Sequence, residues 1–263
     1  RAPDRRAAIS EHLTKLGIEF EIVDAVDGRA LSAEYRASVT APDVKLSPGT
    51  IGCSLSHYEL TKKLLASSAD VALFLEDDAR LNPAIATLLR QGIDPGRFDI
   101  CFLDCADRNE AGPVFFDRDD HFALPGKFVA HRLSSGPQRT HAMLVTRSVS
   151  ERRLHHFLPI RNAVDIYISL PFPLRHYAVI SPKAAWLSEY SVESFTSISG
   201  KSGASTAKFL NFIEKGPVYY RLRDWLTLTR PKRFLLAWLL KSEHVLPADR
   251  RWVPLPPSGK IMG

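Results

Sequence analysis

The stretch Val71–Arg80, Val-Ala-Leu-Phe-Leu-Glu-Asp-Asp-Ala-Arg, runs five apolar residues straight into three consecutive carboxylates. A short apolar run with β-branched and aromatic members predicts a strand buried on both faces, of the kind found inside a parallel sheet. Open α/β sheets bind ligands just outside the carboxyl ends of their strands, which is where Glu76, Asp77 and Asp78 would stand. Three carboxylates this close repel one another, and the repulsion is relieved by a divalent cation or by basic neighbours. Alternation along an extended backbone points Glu76 and Asp78 one way and Asp77 the other. Mg²⁺ or Mn²⁺ takes one or two carboxylates and fills its remaining positions with water and phosphate oxygens. On the tripeptide alone, a solvated acidic strand end is the favoured reading.

Upstream, Pro3-Asp4, then Ile9, Leu13 and Leu16 at helical spacing and Gly17 as a stop, predict a helix over 3–16. Phe20–Val26 reads as a short strand and Asp27-Gly28 as a turn. A doubly wound sheet normally starts with a strand ahead of its first helix, so the chain is expected to lack its opening strand. Residues 30–46 read as a polar connection with one short helix. Ser47 as N-cap and Pro48 at the first position open a helix to about Ser67. Within it Gly52, Cys53 and Ser56 leave one side almost bare, which suits a second backbone, a ligand or ordinary helix–sheet packing.

Downstream, the pattern predicts a helix near Pro83–Gln91 and an apolar strand over Phe98–Leu103 that ends at Asp104. A long polar loop is expected over 106–126, strands over Phe128–Leu133 and Thr140–Thr146, a helix capped by Ser148, and a last strand over Tyr177–Ser181. Strands alternating with helices give an α/β protein with a mixed sheet, residues 1–200 forming the main domain. Residues 201–263 read as a separate, largely helical extension.

Charge separates the same two regions. Residues 1–200 hold 23 Lys/Arg against 25 Asp/Glu, whereas 201–263 hold 12 against 4, so the whole basic excess lies in the tail. There, 217–241 place Trp225, Trp238 and two tyrosines among Lys and Arg, a composition suited to a lipid headgroup layer. The basic residues do not line a groove with interleaved aromatics on the main domain, which argues against nucleic acid as a partner. The three cysteines, Cys53, Cys101 and Cys105, are odd in number and form no Cys-x-x-Cys, so free thiols in a reducing compartment are expected and a zinc site is not. No signal peptide is visible, and the longest apolar run, Phe234–Leu240, has seven residues against the ~20 that span a bilayer.

Three blocks in order, Phe20–Gly28, Gly52-Cys53-Ser54-Leu55-Ser56-His57 and Leu73-Phe74-Leu75-Glu76-Asp77-Asp78, resemble glycosyltransferase family 25, the lipooligosaccharide glycosyltransferases related to the collagen galactosyltransferases. Asp4-Arg5-Arg6 looks like the remainder of that family's opening motif. The resemblance implies a GT-A-like Rossmann-type sheet and an inverting transfer of a hexose, galactose first and glucose next, from a UDP-sugar. Lipopolysaccharide or lipooligosaccharide core, lipid-linked at the inner leaflet, is the implied acceptor, on the cytoplasmic face of a bacterial inner membrane. It further implies Glu76 and Asp78 as ligands of Mn²⁺ or Mg²⁺, with Arg5, Arg6, Ser56, His57 and Asp77 near the donor. Two blocks depart from the family pattern: Thr140–Val145 lacks the usual Gly and aromatic, and Asn162-Ala163-Val164-Asp165 keeps the acid of a Pro-Val-Asp block without its proline.

An inverting displacement needs a base on the face of the sugar opposite the diphosphate, and Asp165, then Asp104, are the candidates. A non-catalytic protein that binds a glycan or partner through the same pocket is the alternative.

Overall fold

The computed structural model describes residues 2–104, 114–133, 140–164, 174–188 and 242–245. Cys105, Asp165 and the tail segment 217–241 lie outside the described residues. The protein is α/β and mixed, as its sequence predicts. The elements begin with α1 (Pro3–Lys15), α2 (Ala33–Val39), α3 (Pro48–Ala66), β1 (Val71–Leu75), β2 (Ala79–Leu81), α4 (Ile85–Gln91) and β3 (Ile100–Phe102). They continue with β4 (Val114–Leu124), β5 (Phe128–Leu133), β6 (Ala142–Thr146), α5 (Arg147–Leu154), β7 (His176–Ser181), β8 (Ala185–Leu187) and β9 (Ser242–Val245).

Seven strands form one sheet in the order β1-β6-β3-β7-β5-β4-β9, and β2 pairs with β8 in a separate two-stranded ribbon. β1 and β3 both run antiparallel to β6, and β3 runs parallel to β7. The carboxyl ends of β1, β3 and β7 therefore share one sheet edge with the start of β6. Side chains alternate across this sheet as period 2 requires. Cys101, Leu144 and Tyr177 face a core with α1 and α4, through Ile9, Leu13, Ile85 and Leu88. Ile100, Phe102, Met143 and Val145 face a second core with α3 and α5, through Leu64 and Val149.

Several boundaries follow from local chemistry. The α1 chain reverses at Gly17, whose φ is 64°, and the Gly17 N–H bonds Thr14 O while the Ile18 N–H bonds Leu13 O, a Schellman motif. The Ser47 hydroxyl accepts from the Thr50 N–H at 3.1 Å and caps α3 as expected. α5 is capped one turn boundary earlier than expected, by Thr146 and not Ser148, with the Val149 N–H donating to the threonine hydroxyl at 3.3 Å.

The structure corrects three expectations and adds one strand. β1 packs both faces against core, but it is the terminal strand of the described sheet and its neighbour is antiparallel, so it is not the interior of a parallel array. Phe20–Val26 is extended without a strand ladder, and Phe20 and Ile22 are exposed. Residues 114–124 of the expected loop are strand β4, paired on both sides, with a register shift between Phe116 and His121. β9, from the segment read as a helical extension, is hydrogen-bonded to β4 in the main sheet.

Candidate functional site at the carboxyl edge of the sheet

The strand β1 ends at Leu75 and the backbone turns at once, so Glu76, Asp77 and Asp78 do not continue the pleat. The expected alternation fails for this reason. Asp77 and Asp78 instead converge on one guanidinium: Arg5 Nη2 lies 2.5 Å from Asp77 Oδ1 and 2.9 Å from Asp78 Oδ2. Arg5 is buried on the first turns of α1, Asp78 is buried, and Asp77 is half exposed. Glu76 turns the other way and accepts from the Thr140 hydroxyl at 2.6 Å, while its own N–H donates to His141 O at 2.8 Å. Burial pushes the Glu76 carboxyl above the usual carboxylate range, and the charge of Asp78 adds to this against the Thr140 bond.

Two further polar residues complete this edge. Asp104, two residues beyond the end of β3, is buried with its Oδ2 3.3 Å from His141 Nε2. Ser188, just after β8, donates its N–H to Asp78 O at 2.8 Å and is also buried. Sequence reading missed Thr140, His141 and Ser188 as parts of this cluster. Thr140 and His141 open β6, whose adjacency to β1 is a tertiary fact, and Ser188 arrives through the β2–β8 ribbon.

Asp78 Oδ1 is buried and has no hydrogen-bond partner. A buried carboxylate oxygen left so costs on the order of 1–3 kcal/mol unless a donor or cation meets it. No group of three or more His, Cys, Asp and Glu side chains among the described residues forms a complete metal cage. A hard cation such as Mg²⁺ or Mn²⁺ needs only one or two carboxylates, and the unspent oxygen of Asp78 beside Asp77 fits that requirement.

The remaining predicted residues sit elsewhere. Arg6 is exposed and pairs with Asp24 at 3.2 Å. The Ser56 hydroxyl accepts from the Val26 N–H at 2.9 Å and donates to Gly52 O at 2.8 Å, so it clips the 26–28 turn onto α3. A Cβ on Gly52 would lie 2.5 Å from Val26 O and 2.6 Å from Gly28 N, which identifies a second backbone as the occupant of the bare side of α3. His57 is buried beside the Phe74 ring, 6.4 Å between centroids, on the face of the sheet away from α1. Burial and the nearby Arg153 charge lower its pKa to about 3, so it is neutral.

Residues 1–123 match the sequence model of glycosyltransferase family 25, described as an LPS biosynthesis protein. A glycosyltransferase 25 family member of Aedes aegypti is 34% identical over 110 residues, 37% of this chain and 18% of the relative. Procollagen galactosyltransferase 1-B of Xenopus laevis is 34% identical over 90 residues, 29% of this chain and 14% of the relative. An inactive glycosyltransferase 25 family member 3 of Mus musculus is 32% identical over 90 residues, 30% of this chain and 15% of the relative. The chain thus spans less than a fifth of the length of these relatives. The resemblance to glycosyltransferase family 25 that the blocks Phe20–Gly28, Gly52–His57 and Leu73–Asp78 carry is matched by the family model over residues 1–123.

Proposed function

We propose that this chain is the donor-binding part of an inverting, metal-assisted glycosyltransferase with a GT-A-like sheet. Its donor is a UDP-hexose, galactose before glucose, and its acceptor a lipid-linked lipopolysaccharide or lipooligosaccharide core. The observation that carries the reading is the buried, unpartnered Asp78 Oδ1 beside Asp77 at the carboxyl edge of the sheet. The names of the relatives support galactose, and the description of the family supports the acceptor.

Asp78 would hold Mn²⁺ or Mg²⁺, with Asp77 or Glu76 as the second carboxylate. That ion, when bound, would stabilise the charge that develops on the departing nucleoside diphosphate. The protein's own groups do the rest. Thr140 fixes the direction of Glu76, while Asp77 and Asp78 converge on one guanidinium, which favours Asp77 as the partner of Asp78. Asp104 Oδ2 lies 3.3 Å from His141 Nε2 at the start of β6, and both side chains are buried. The proposed base is Asp165, with Asp104 as second candidate. The basic segment 217–241 is assigned to the cytoplasmic face of the inner membrane, where Lys and Arg would meet anionic headgroups.

The test is Asp78→Asn. UDP release from the cognate donor in Mn²⁺ should fall by at least ~100-fold, the scale of removing one transition-state charge contact, with the far-UV CD spectrum unchanged. Release at the native rate would remove Asp78 from the chemistry. One observation favours the second reading, a non-catalytic glycan- or partner-binding protein: Arg5 already neutralises part of the Asp77–Asp78 charge, and a relative is named inactive. Mn²⁺-dependent UDP release separates the two.

A further inference from the structure

Arg5 engages the two carboxylates that would hold a metal ion. Its guanidinium reaches both Asp77 and Asp78, its side chain is 10% exposed, and that of Asp78 is 12% exposed. One guanidinium is shared between two carboxylates, of which Asp78 is buried and Asp77 half exposed. The unspent Asp78 Oδ1 marks a shortfall on the hydrogen-bond side. An ion that takes Asp78 Oδ1 and draws on Asp77 as its second carboxylate would contend with Arg5 for Asp77 Oδ1 and stand close to its positive charge. Arg5 and the ion therefore compete for the same pair of carboxylates. A displaced guanidinium is a planar fork suited to phosphate oxygens, and the nucleoside diphosphate that accompanies the ion supplies them.

We propose that Arg5 is an internal counter-cation that a divalent ion must displace from Asp77 and Asp78, and that the freed guanidinium then binds the diphosphate of the donor. The proposal rests on the reading of Asp78 as a metal ligand. It makes metal and nucleotide binding mutually reinforcing, because the nucleotide offers Arg5 the partners that the metal takes away. It also explains how the acidic turn folds before any ligand is present. In the unliganded state Arg5 supplies the charge that holds Asp77 and Asp78 together.

The test is a Mn²⁺ titration of the full chain, followed by the electron paramagnetic resonance signal of free Mn²⁺, with and without UDP. Four proteins are compared: native, Arg5→Gln, Arg5→Lys and Asp78→Asn. Arg5→Gln should bind Mn²⁺ alone about tenfold or more tightly than the native chain, the scale of losing one competing charged hydrogen-bond pair. Arg5→Lys, a compact ammonium that cannot span two carboxylates as a fork, should lie between them and keeps the comparison available where Arg5→Gln does not fold. UDP should tighten Mn²⁺ binding more in the native chain than in either Arg5 variant. Equal Mn²⁺ affinity in the native and Arg5 variants, with binding lost in Asp78→Asn, would overturn the displacement while leaving the metal assignment standing. No Mn²⁺ binding in any of the four, with or without UDP, would overturn the metal assignment and the displacement together.

Discussion

His57 makes the stability of this protein depend on pH in a way that one substitution isolates. Burial and the Arg153 charge lower its pKa in the folded chain to about 3, against an unfolded value near 6.5. The unfolded chain therefore binds a proton between those values that the folded chain refuses, so stability rises with pH across that window. The contribution of the neutral ring is fully present above pH ~6.5 and is lost as the pH falls toward ~3. At pH 5 the unfolded imidazole is almost wholly protonated and the folded one almost wholly neutral. The difference from pH 8 is about 2 kcal/mol, a figure that requires only that the folded pKa lie well under 5. His12 and His131 are also shifted downward by burial and act in the same direction, whereas the raised Glu76 carboxyl acts in the opposite one. The His57→Leu variant keeps an apolar group of similar length against Phe74 and removes one titration. Urea denaturation at pH 8 and pH 5 should give a loss of stability in His57→Leu smaller by about 2 kcal/mol than in the native chain. An identical loss in both would refute the burial of a neutral His57, and with it the packing of α3 on the sheet.

Three more outcomes are expected. Gly52→Ala should gain about 1 kcal/mol of helix propensity but lose more, on the order of 1–3 kcal/mol, because its Cβ meets the Val26 and Gly28 backbone at 2.5 and 2.6 Å; a raised urea midpoint would contradict the close approach. Asp99→Ala should cost about 2 kcal/mol in the same assay, since the Asp99 carboxylate accepts from the Arg175 N–H at 2.7 Å and from Arg152 at 2.7 Å, and a loss under ~0.5 kcal/mol would show that water replaces it freely. Exchanging Arg221, Arg223, Arg230, Lys232, Arg233 and Lys241 for Gln should abolish sedimentation with vesicles containing anionic lipid while transfer to a soluble acceptor persists, and unchanged sedimentation would remove the membrane assignment.

What the sequence revealed about this fold follows the range of each signal. The caps of α1 and α3 were legible because Gly17 and Ser47-Pro48 act within one turn of chain. β4 was hidden because Asp117, Arg118, Asp119 and Asp120 interrupt its alternation, and the strand persists there through its ladders with β5 and β9. The β2–β8 ribbon joins residues about a hundred positions apart and has only three residues a side, too short for any periodicity to register. At the site, the three carboxylates were legible as a charge cluster and their orientation was not. Alternation assumes a continuing strand, and the chain turns after Leu75 so that Asp77 and Asp78 both reach Arg5. The small residues of α3 carried a true signal, close approach, whose occupant is the 26–28 backbone held by Ser56.

Metal-assisted transfer is tested most directly by UDP release from a panel of UDP-sugars in Mn²⁺, Mg²⁺ or EDTA, with a lipooligosaccharide core acceptor present. Release is expected from one hexose donor, UDP-galactose first, and it should depend on the added metal and stop in EDTA. Release that is indifferent to EDTA, or no release from any donor by a chain that binds UDP, would contradict it.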